Sequence, residues 1–231
     1  MNAKLTTTFK KALSKLLPDS EKLRYLVWLP KLETFHKAYG KDVKFLASRH
    51  HLYDYINQVL NNEAIAYCEF GVFKGASIKY WSQLNTHATS EFHGFDTFSG
   101  LPESWDNFTG GLQKGFFDVK GELPHIDDAR VHFYKGLFQD TLPGFLEAYQ
   151  LENTVVINID ADLYSSTLYV LTMAHGILKK GSVIIFDEFS SMLHEFRAFE
   201  DYCKAYNVSF EVLAATASKK TYYAHVAVRI L

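Results

Sequence analysis

From residue 64 onward, short apolar runs alternate with stretches of helical periodicity, and four of the runs stop at or beside an acid. The runs Ala64–Phe70, Glu91–Phe95, Val131–Tyr134, Val155–Ile159 and Ser182–Phe186 have the length and content of buried strands. Helical patterning follows most of them: through Tyr80 and Trp81, then from about Pro143 to Tyr149, Ser166 to Leu178 and Leu193 to Tyr206. Strands that alternate with helices bury both faces of a sheet, which predicts a doubly wound, mostly parallel α/β architecture. Phe210–Ala214 and Tyr222–Arg229 lack a helix between them, so they read as a hairpin that adds an antiparallel strand at the C-terminal end.

The first third of the chain has a different character. Residues 1–50 hold eleven Lys and Arg against four acids, a net +7 that stands beside −9 for the rest. Leu5, Phe9, Leu13 and Leu16/Leu17 recur at helical spacing with lysines between them, up to Pro18. A second helix, capped by Asp19 or Ser20, is expected to run to Pro30, with Leu26, Trp28, Leu29 and Leu32 as core positions, and residues 31–62 read as helical again. The chain thus divides into an N-terminal helical extension, 1–62, and an α/β domain, 63–231. The basic amphipathic start suits either an anionic membrane surface or packing on the main domain and a second subunit, and the apolar positions favour packing.

The overall balance of −2 and an aromatic content of 16% exclude disorder and argue against nucleic acid as a partner. Cys68 and Cys203 show no metal-ligand spacing and no disulfide framework. No apolar run approaches the ~20 residues of a membrane span, and no signal peptide is expected. A cytoplasmic protein is expected.

In a doubly wound sheet, ligands sit outside the carboxyl ends of the strands. Those ends carry Glu69, Asp96, Asp160 and Asp187-Glu188. The first strand runs into Glu69-Phe70-Gly71-Val72-Phe73-Lys74-Gly75-Ala76-Ser77, a turn whose glycines allow close approach of a ligand or of the next helix. It is neither a P-loop nor a dinucleotide fingerprint, which disfavours a nicotinamide dehydrogenase. Asp96, 27 residues after Glu69, stands where an acid accepts hydrogen bonds from ribose hydroxyls, or caps the following Thr97-Phe98-Ser99-Gly100 turn. A nucleoside without a pyrophosphate suits both features. Asp160 and Asp187-Glu188 close two successive strands; if these are neighbours, three carboxylates converge and call for a hard cation such as Mg²⁺, with Mn²⁺ or Ca²⁺ as alternatives. Asp162 and Glu188 can also serve as helix caps.

Taken together, these motifs resemble the macrocin O-methyltransferase family. The resemblance rests on the glycine turn, on Gly94-Phe95-Asp96-Thr97-Phe98-Ser99-Gly100-Leu101-Pro102-Glu103, on Gly136-Leu137-Phe138-Gln139-Asp140-Thr141-Leu142-Pro143, on Ile159-Asp160-Ala161-Asp162-Leu163-Tyr164-Ser165-Ser166-Thr167 and on Ile184-Ile185-Phe186-Asp187-Glu188-Phe189. It covers roughly residues 64–205 and implies a Rossmann-like class I methyltransferase that uses S-adenosylmethionine. Members include sugar O-methyltransferases of macrolide and aminocoumarin antibiotic pathways. By this resemblance Glu69, Gly71 and Ser77 line the methionine part of the cofactor, and Asp96 with Thr97 holds the ribose. Phe138 lies near the adenine, and Asp160, Asp187 and Glu188 are the ligands of Mg²⁺ or Mn²⁺. Glu188 stands where the family more often has aspartate. The implied acceptor is a saccharide or other small molecule, and the corresponding N-terminal region of relatives contributes to lids or to homo-oligomer contacts, here expected as a dimer.

The expected chemistry is O-methylation of a sugar hydroxyl chelated to the metal, with Asp160 or Asp162 taking the proton. Trp105, Phe108, Phe116 and Phe117 lie among glycines between Leu101 and Gly121, a composition that suits a lid over the acceptor. His93, His125, His132 and His175 are alternative bases. Two other readings stand beside this one: a metal-independent methyltransferase of small phenols or carboxylates, and a non-catalytic nucleoside-binding protein.

Overall fold

The computed structural model describes residues 10–15, 20–107, 110–148, 152–219 and 222–231. Residues 10–15 are helical; the rest of the expected first helix, with Pro18 and Asp19, and the residues Phe108 and Tyr149 lie outside the described set. The elements that follow are α1 (Glu21–Tyr39), β1 (Lys44–Leu46), α2 (Arg49–Val59), β2 (Ile65–Phe70), α3 (Ala76–Leu84), β3 (Glu91–Asp96), β4 (Trp105–Asn107) and β5 (Gly110–Leu112). After them come β6 (Val131–Lys135), α4 (Phe138–Ala148), β7 (Thr154–Ile159), α5 (Tyr164–Ala174), β8 (Val183–Phe186), α6 (Glu195–Tyr206), β9 (Phe210–Thr216) and β10 (Val226–Ile230).

Eight strands form one sheet in the order β1-β9-β10-β8-β7-β2-β3-β6, and β4 pairs with β5 as a separate hairpin. All neighbours in the large sheet are parallel except β10, which runs antiparallel between β8 and β9. The chain moves outward from β2 through β3 to β6, then returns to the other side of β2 for β7 and β8. This switch leaves a crevice at the carboxyl ends of β2 and β7.

Strand side chains alternate between two apolar layers, as a sheet covered on both faces requires. Cys68, Phe70, Ile157, Ile159, Ile184 and Phe186 face α1, α4, α5 and α6, whereas Tyr67, Val156, Val183 and Ile185 face α2 and α3. Both cysteines are free thiols.

The N-terminal segment departs from the expected helices. One helix, α1, runs through Pro30, with Ser20 as its N-cap accepting from the Leu23 N–H. Pro30 and Leu26 lie on the exposed side of the helix, where the backbone bond that proline cannot make costs least. Of the four core positions read from the sequence, Leu32 is buried and Trp28 packs partly buried beside it, with Phe35 and Tyr39 continuing the stripe, whereas Leu26 is 54% and Leu29 42% exposed. Residues 44–62 are built into the main body. β1 extends the sheet by pairing with β9, and Leu52, Tyr53 and Ile56 of α2 are fully buried against it. The division at residue 62 therefore does not separate two cores.

His93, on β3, is buried between His132 and Phe145, with its Nδ1 3.2 Å from the Tyr134 hydroxyl. Burial, aided by the neighbouring His132, lowers its pKa to about 4. The unfolded chain takes up a proton near pH 6.5 and the folded chain only near pH 4, so this residue's contribution to stability is complete above pH 6.5 and lost as the pH falls towards 4. Denaturant titrations at pH 7.5 and pH 5 should show the parent losing about 2 kcal/mol more than His93→Gln over that interval. Equal losses would show that this histidine does not drive the acid dependence.

Candidate active site

Strand register sets the positions of the acids. Phe70 pairs with Ile159, and Ile159 with Phe186, so the residues that follow leave three adjacent strands at one level. The exit is held by backbone bonds: the Asp160 N–H donates to the Phe70 carbonyl (2.9 Å) and the Asp187 N–H to that of Ile159 (3.0 Å). Asp160 and Asp187 thus emerge side by side, with Glu69 two residues deeper on β2, opposite Asn158.

Gly71 has a φ of +95°, and a Cβ placed on it would fall 1.8 Å from the Asp160 carbonyl oxygen. The residue therefore permits the β2 exit loop to cross the β7 exit in contact. Gly75, at φ +75°, caps α3 without a side-chain bond. Asp96 ties this turn to the next strand's exit. Its Oδ2 accepts from the N–H groups of Val72 (2.7 Å) and Phe73 (2.8 Å), and its Oδ1 from that of Phe98 (2.7 Å). The capping reading of Asp96 covers the Phe98 bond alone; the Val72 and Phe73 bonds reach the turn after β2, and Asp96 also lines the cavity over the strand ends. Ser77, buried in the first turn of α3, receives the Tyr53 hydroxyl at 3.4 Å. Phe138 opens α4 and meets Phe70 edge to face.

One cavity of about 550 Å³ lies over these strand ends. All ten residues singled out from the sequence line it: Glu69, Gly71, Ser77, Asp96, Thr97 and Phe138 on one side, Asp160, Asp162, Asp187 and Glu188 on the other. Its volume is in the range of small-molecule sites. Among the described residues, none of His93, His125, His132 and His175 lines it.

The carboxyl side is crowded with negative charge. Burial raises Asp160 well above the usual carboxylate range, and the charges of Asp187, Asp162 and Glu69 add to that shift against the opposing Arg49. Burial, with Glu188 and Asp187, takes Asp162 to about 7; the residue is buried in the left-handed region at φ +58°. Burial takes Glu69 to about 8 despite a hydrogen bond donated by the Tyr67 hydroxyl. Asp187 is the exception. Burial alone would raise it, yet His225 and Arg49 hold it below its ordinary value.

Three of the residues that organise this side were not singled out from the sequence. Arg49 Nη1 lies 2.9 Å from Asp187 Oδ1 and 3.6 Å from Asp160 Oδ2. His225 on the loop before β10 places Nε2 3.1 Å from the same Asp187 oxygen, and its Nδ1 is 2.6 Å from Thr216 Oγ1. Glu195, fully buried at the start of α6, accepts the Glu188 N–H at 2.9 Å. Sequence separations of 138 and 38 residues hide the first two from any motif. One signal does mark Arg49: it follows a helix-capping serine, and a helix N-terminus disfavours positive charge.

The segment expected as a lid includes the paired strands β4 and β5. Trp105 and Phe117 line the cavity, while Phe116 is half exposed and does not. Gly100, at φ +84°, lets the two ends of the segment touch, since a Cβ there would meet the carbonyl oxygens of Gly115 and Phe116 at 2.5 Å. His194 Nε2 at 2.6 Å from the Asp106 carbonyl, and Ser165 donating to Glu103, fasten it to the start of α6 and to α5.

Among the described residues, no three His, Cys, Asp or Glu side chains are gathered to hold a metal as they stand, and no helix is long and apolar enough to cross a membrane. The profile of the family described as macrocin-O-methyltransferase (TylF) matches residues 47–223. No curated protein sequence matches the chain significantly. Several solved structures share its fold. CalS11, a calicheamicin methyltransferase, is 21% identical over 99% of this chain and 94% of its own, with a TM-score of 0.61. The O-methyltransferase NovP is 20% identical over 78% of each chain (TM-score 0.57). The protein cmcI, solved with Mg and SAM, is 16% identical over 80% of this chain and 72% of its own (TM-score 0.54).

Proposed function

Because the chain belongs to the macrocin-O-methyltransferase family and is an O-methyltransferase, we propose that it transfers the methyl group of S-adenosylmethionine to a hydroxyl of a sugar or glycosylated metabolite, assisted by a divalent ion. The observation that carries this reading is the convergence of all ten candidate residues on one cavity at the sheet's switch point. CalS11, which shares the fold, is described as a TDP-rhamnose 3'-O-methyltransferase.

Glu69 and Ser77 bind the amino-acid end of the cofactor, Asp96 and Thr97 its ribose, and Phe138 covers the adenine. Gly71 keeps the β2 exit close enough to β7 for these groups to reach one ligand. S-adenosylmethionine, when bound, supplies an electrophilic methyl group, so the protein has to orient a nucleophile in line and remove its proton.

Asp160, Asp187 and Glu188 would hold the ion, Mg²⁺ or Mn²⁺. The donors fit a hard cation: all are carboxylate oxygens, and Asp160 and Glu188 are both held above their usual range by burial and by neighbouring acids. Such an ion, when bound, lowers the pKa of a hydroxyl that chelates it. Asp162, which faces the cavity beside Glu188, or Asp160, accepts the released proton. Trp105 and Phe117 exclude water and offer apolar faces to a sugar ring. One observation favours a metal-independent variant of the same reaction: Arg49 already brings a positive charge to Asp160 and Asp187.

Calorimetry with S-adenosylhomocysteine should show one site per chain, and Asp96→Asn should weaken it at least tenfold, since a hydrogen bond to a charged acceptor contributes about 1.5–3 kcal/mol. Methyl transfer to a panel of sugars and glycosides should stop on EDTA and return with Mg²⁺. Undiminished affinity in the variant would remove the ribose assignment, and transfer that EDTA leaves intact would select the metal-independent variant.

A further inference from the structure

We propose that Arg49 is a built-in counter-cation of this site, and that its guanidinium and a divalent ion are alternative occupants of the charge position between Asp160 and Asp187; this rests on the metal reading above. One nitrogen, Nη1, serves both carboxylates, at 2.9 Å from Asp187 Oδ1 and 3.6 Å from Asp160 Oδ2. These are two of the three groups assigned to the ion, so the guanidinium and the ion draw on the same lone pairs.

The backbone beneath Arg49 is fixed. It is the first residue of α2, whose Ser48 cap accepts from the His51 N–H and whose Leu52, Tyr53 and Ile56 are fully buried in the sheet's second apolar layer. The first turn of α2 carries no acid. A cation there opposes the helix dipole, an arrangement that the helix by itself disfavours. The two carboxylates 111 and 138 positions away offset that cost, so the residue is placed for the rim rather than for its own helix. Its side chain remains about one-third exposed, which leaves it an outward path when displaced.

Two consequences follow. Without a divalent ion, Arg49 keeps Asp160 and Asp187 from repelling each other and holds the rim together. With the ion present, the guanidinium has to give up both contacts, and metal affinity is reduced by whatever the ion pair contributes. Arg49 is thus a positioning residue that sets metal affinity, reached from a segment that precedes the first strand of the switch.

The experiment measures Mn²⁺ binding to the full chain, without acceptor, by electron paramagnetic resonance and by the shift of melting temperature with metal. Wild type is compared with Arg49→Met and Arg49→Lys. Arg49→Met should bind Mn²⁺ at least tenfold tighter than wild type and melt lower without metal, recovering more on its addition. Arg49→Lys, which keeps the positive charge on a more strongly hydrated ammonium without the planar guanidinium, should fall between them; it also serves if the methionine variant does not fold. Equal or weaker affinity in both variants, with wild type binding Mn²⁺, overturns the proposal for Arg49 and leaves the metal reading in place. Absence of Mn²⁺ binding in all three proteins overturns both, while EDTA-resistant methyl transfer would still support the wider assignment.

Discussion

Asp160→Asn combined with Asp187→Asn is expected to lower methyl transfer by roughly a thousandfold or more, the several kcal/mol that a Lewis-acidic ion contributes to a developing alkoxide. S-adenosylhomocysteine affinity should change by less than about threefold. The reason for the separation is spatial. Both aspartates leave β7 and β8, on the carboxylate side of the cavity, whereas Asp96, Thr97 and Phe138 lie on the far side of β2. Asparagine keeps the shape of each side chain and a hydrogen-bond acceptor for Arg49, so the fold is spared the void that alanine would leave. Single-turnover transfer of a labelled methyl group gives the first quantity and calorimetry the second. Parental turnover in the double variant would remove the metal and the base from these residues together. A parallel loss of cofactor affinity would show instead that the two halves of the cavity act as one.

The second large effect concerns Gly71. Gly71→Ala should cost about 3–5 kcal/mol, the range of overpacking joined to backbone strain, and lower the melting temperature by roughly 10 °C for a domain of this size. Its φ of +95° is unfavourable for any L side chain, and the new methyl group would stand 1.8 Å from the backbone oxygen of Asp160. Neither contact is with a flexible side-chain end, so the loop or the β7 exit has to move. Gly144→Ala is the control. Gly144 is an exposed position within α4 where a Cβ meets nothing within 4 Å, so alanine should be neutral or stabilising by up to about 1 kcal/mol. Equal melting temperatures for Gly71→Ala and the parent would show that the crossing of the two exits is looser than drawn.

Much of the α/β region was legible because its signals are local. Val155–Ile159 and Val183–Phe186 are dense β-branched runs bounded by polar residues, and periodicity locates them to within a residue or two. The glycine turn and the acids after the strands stand out for the same reason. The N-terminal segment was less legible. Pro30 reads as a helix end, yet α1 continues through it, with the proline on the exposed side of the helix. The three-residue β1 has no periodicity of its own and exists because β9 offers it an edge. Leu26 and Leu29 are as apolar as Leu32, and only the direction from which α1 meets α6 and β9 decides which of them is buried.

The architecture and the set of acids are written in local sequence, since alternation of apolar runs and the residue at each strand end are properties of neighbouring positions. Register and strand order, which are not local, put Asp160 and Asp187 side by side and Glu69 two residues beneath them. Only the tertiary structure brought Arg49 and His225 to those carboxylates, across 138 and 38 residues of chain. A charge buried among like charges has to find its partner in space, and proximity in space is what the order of residues does not record.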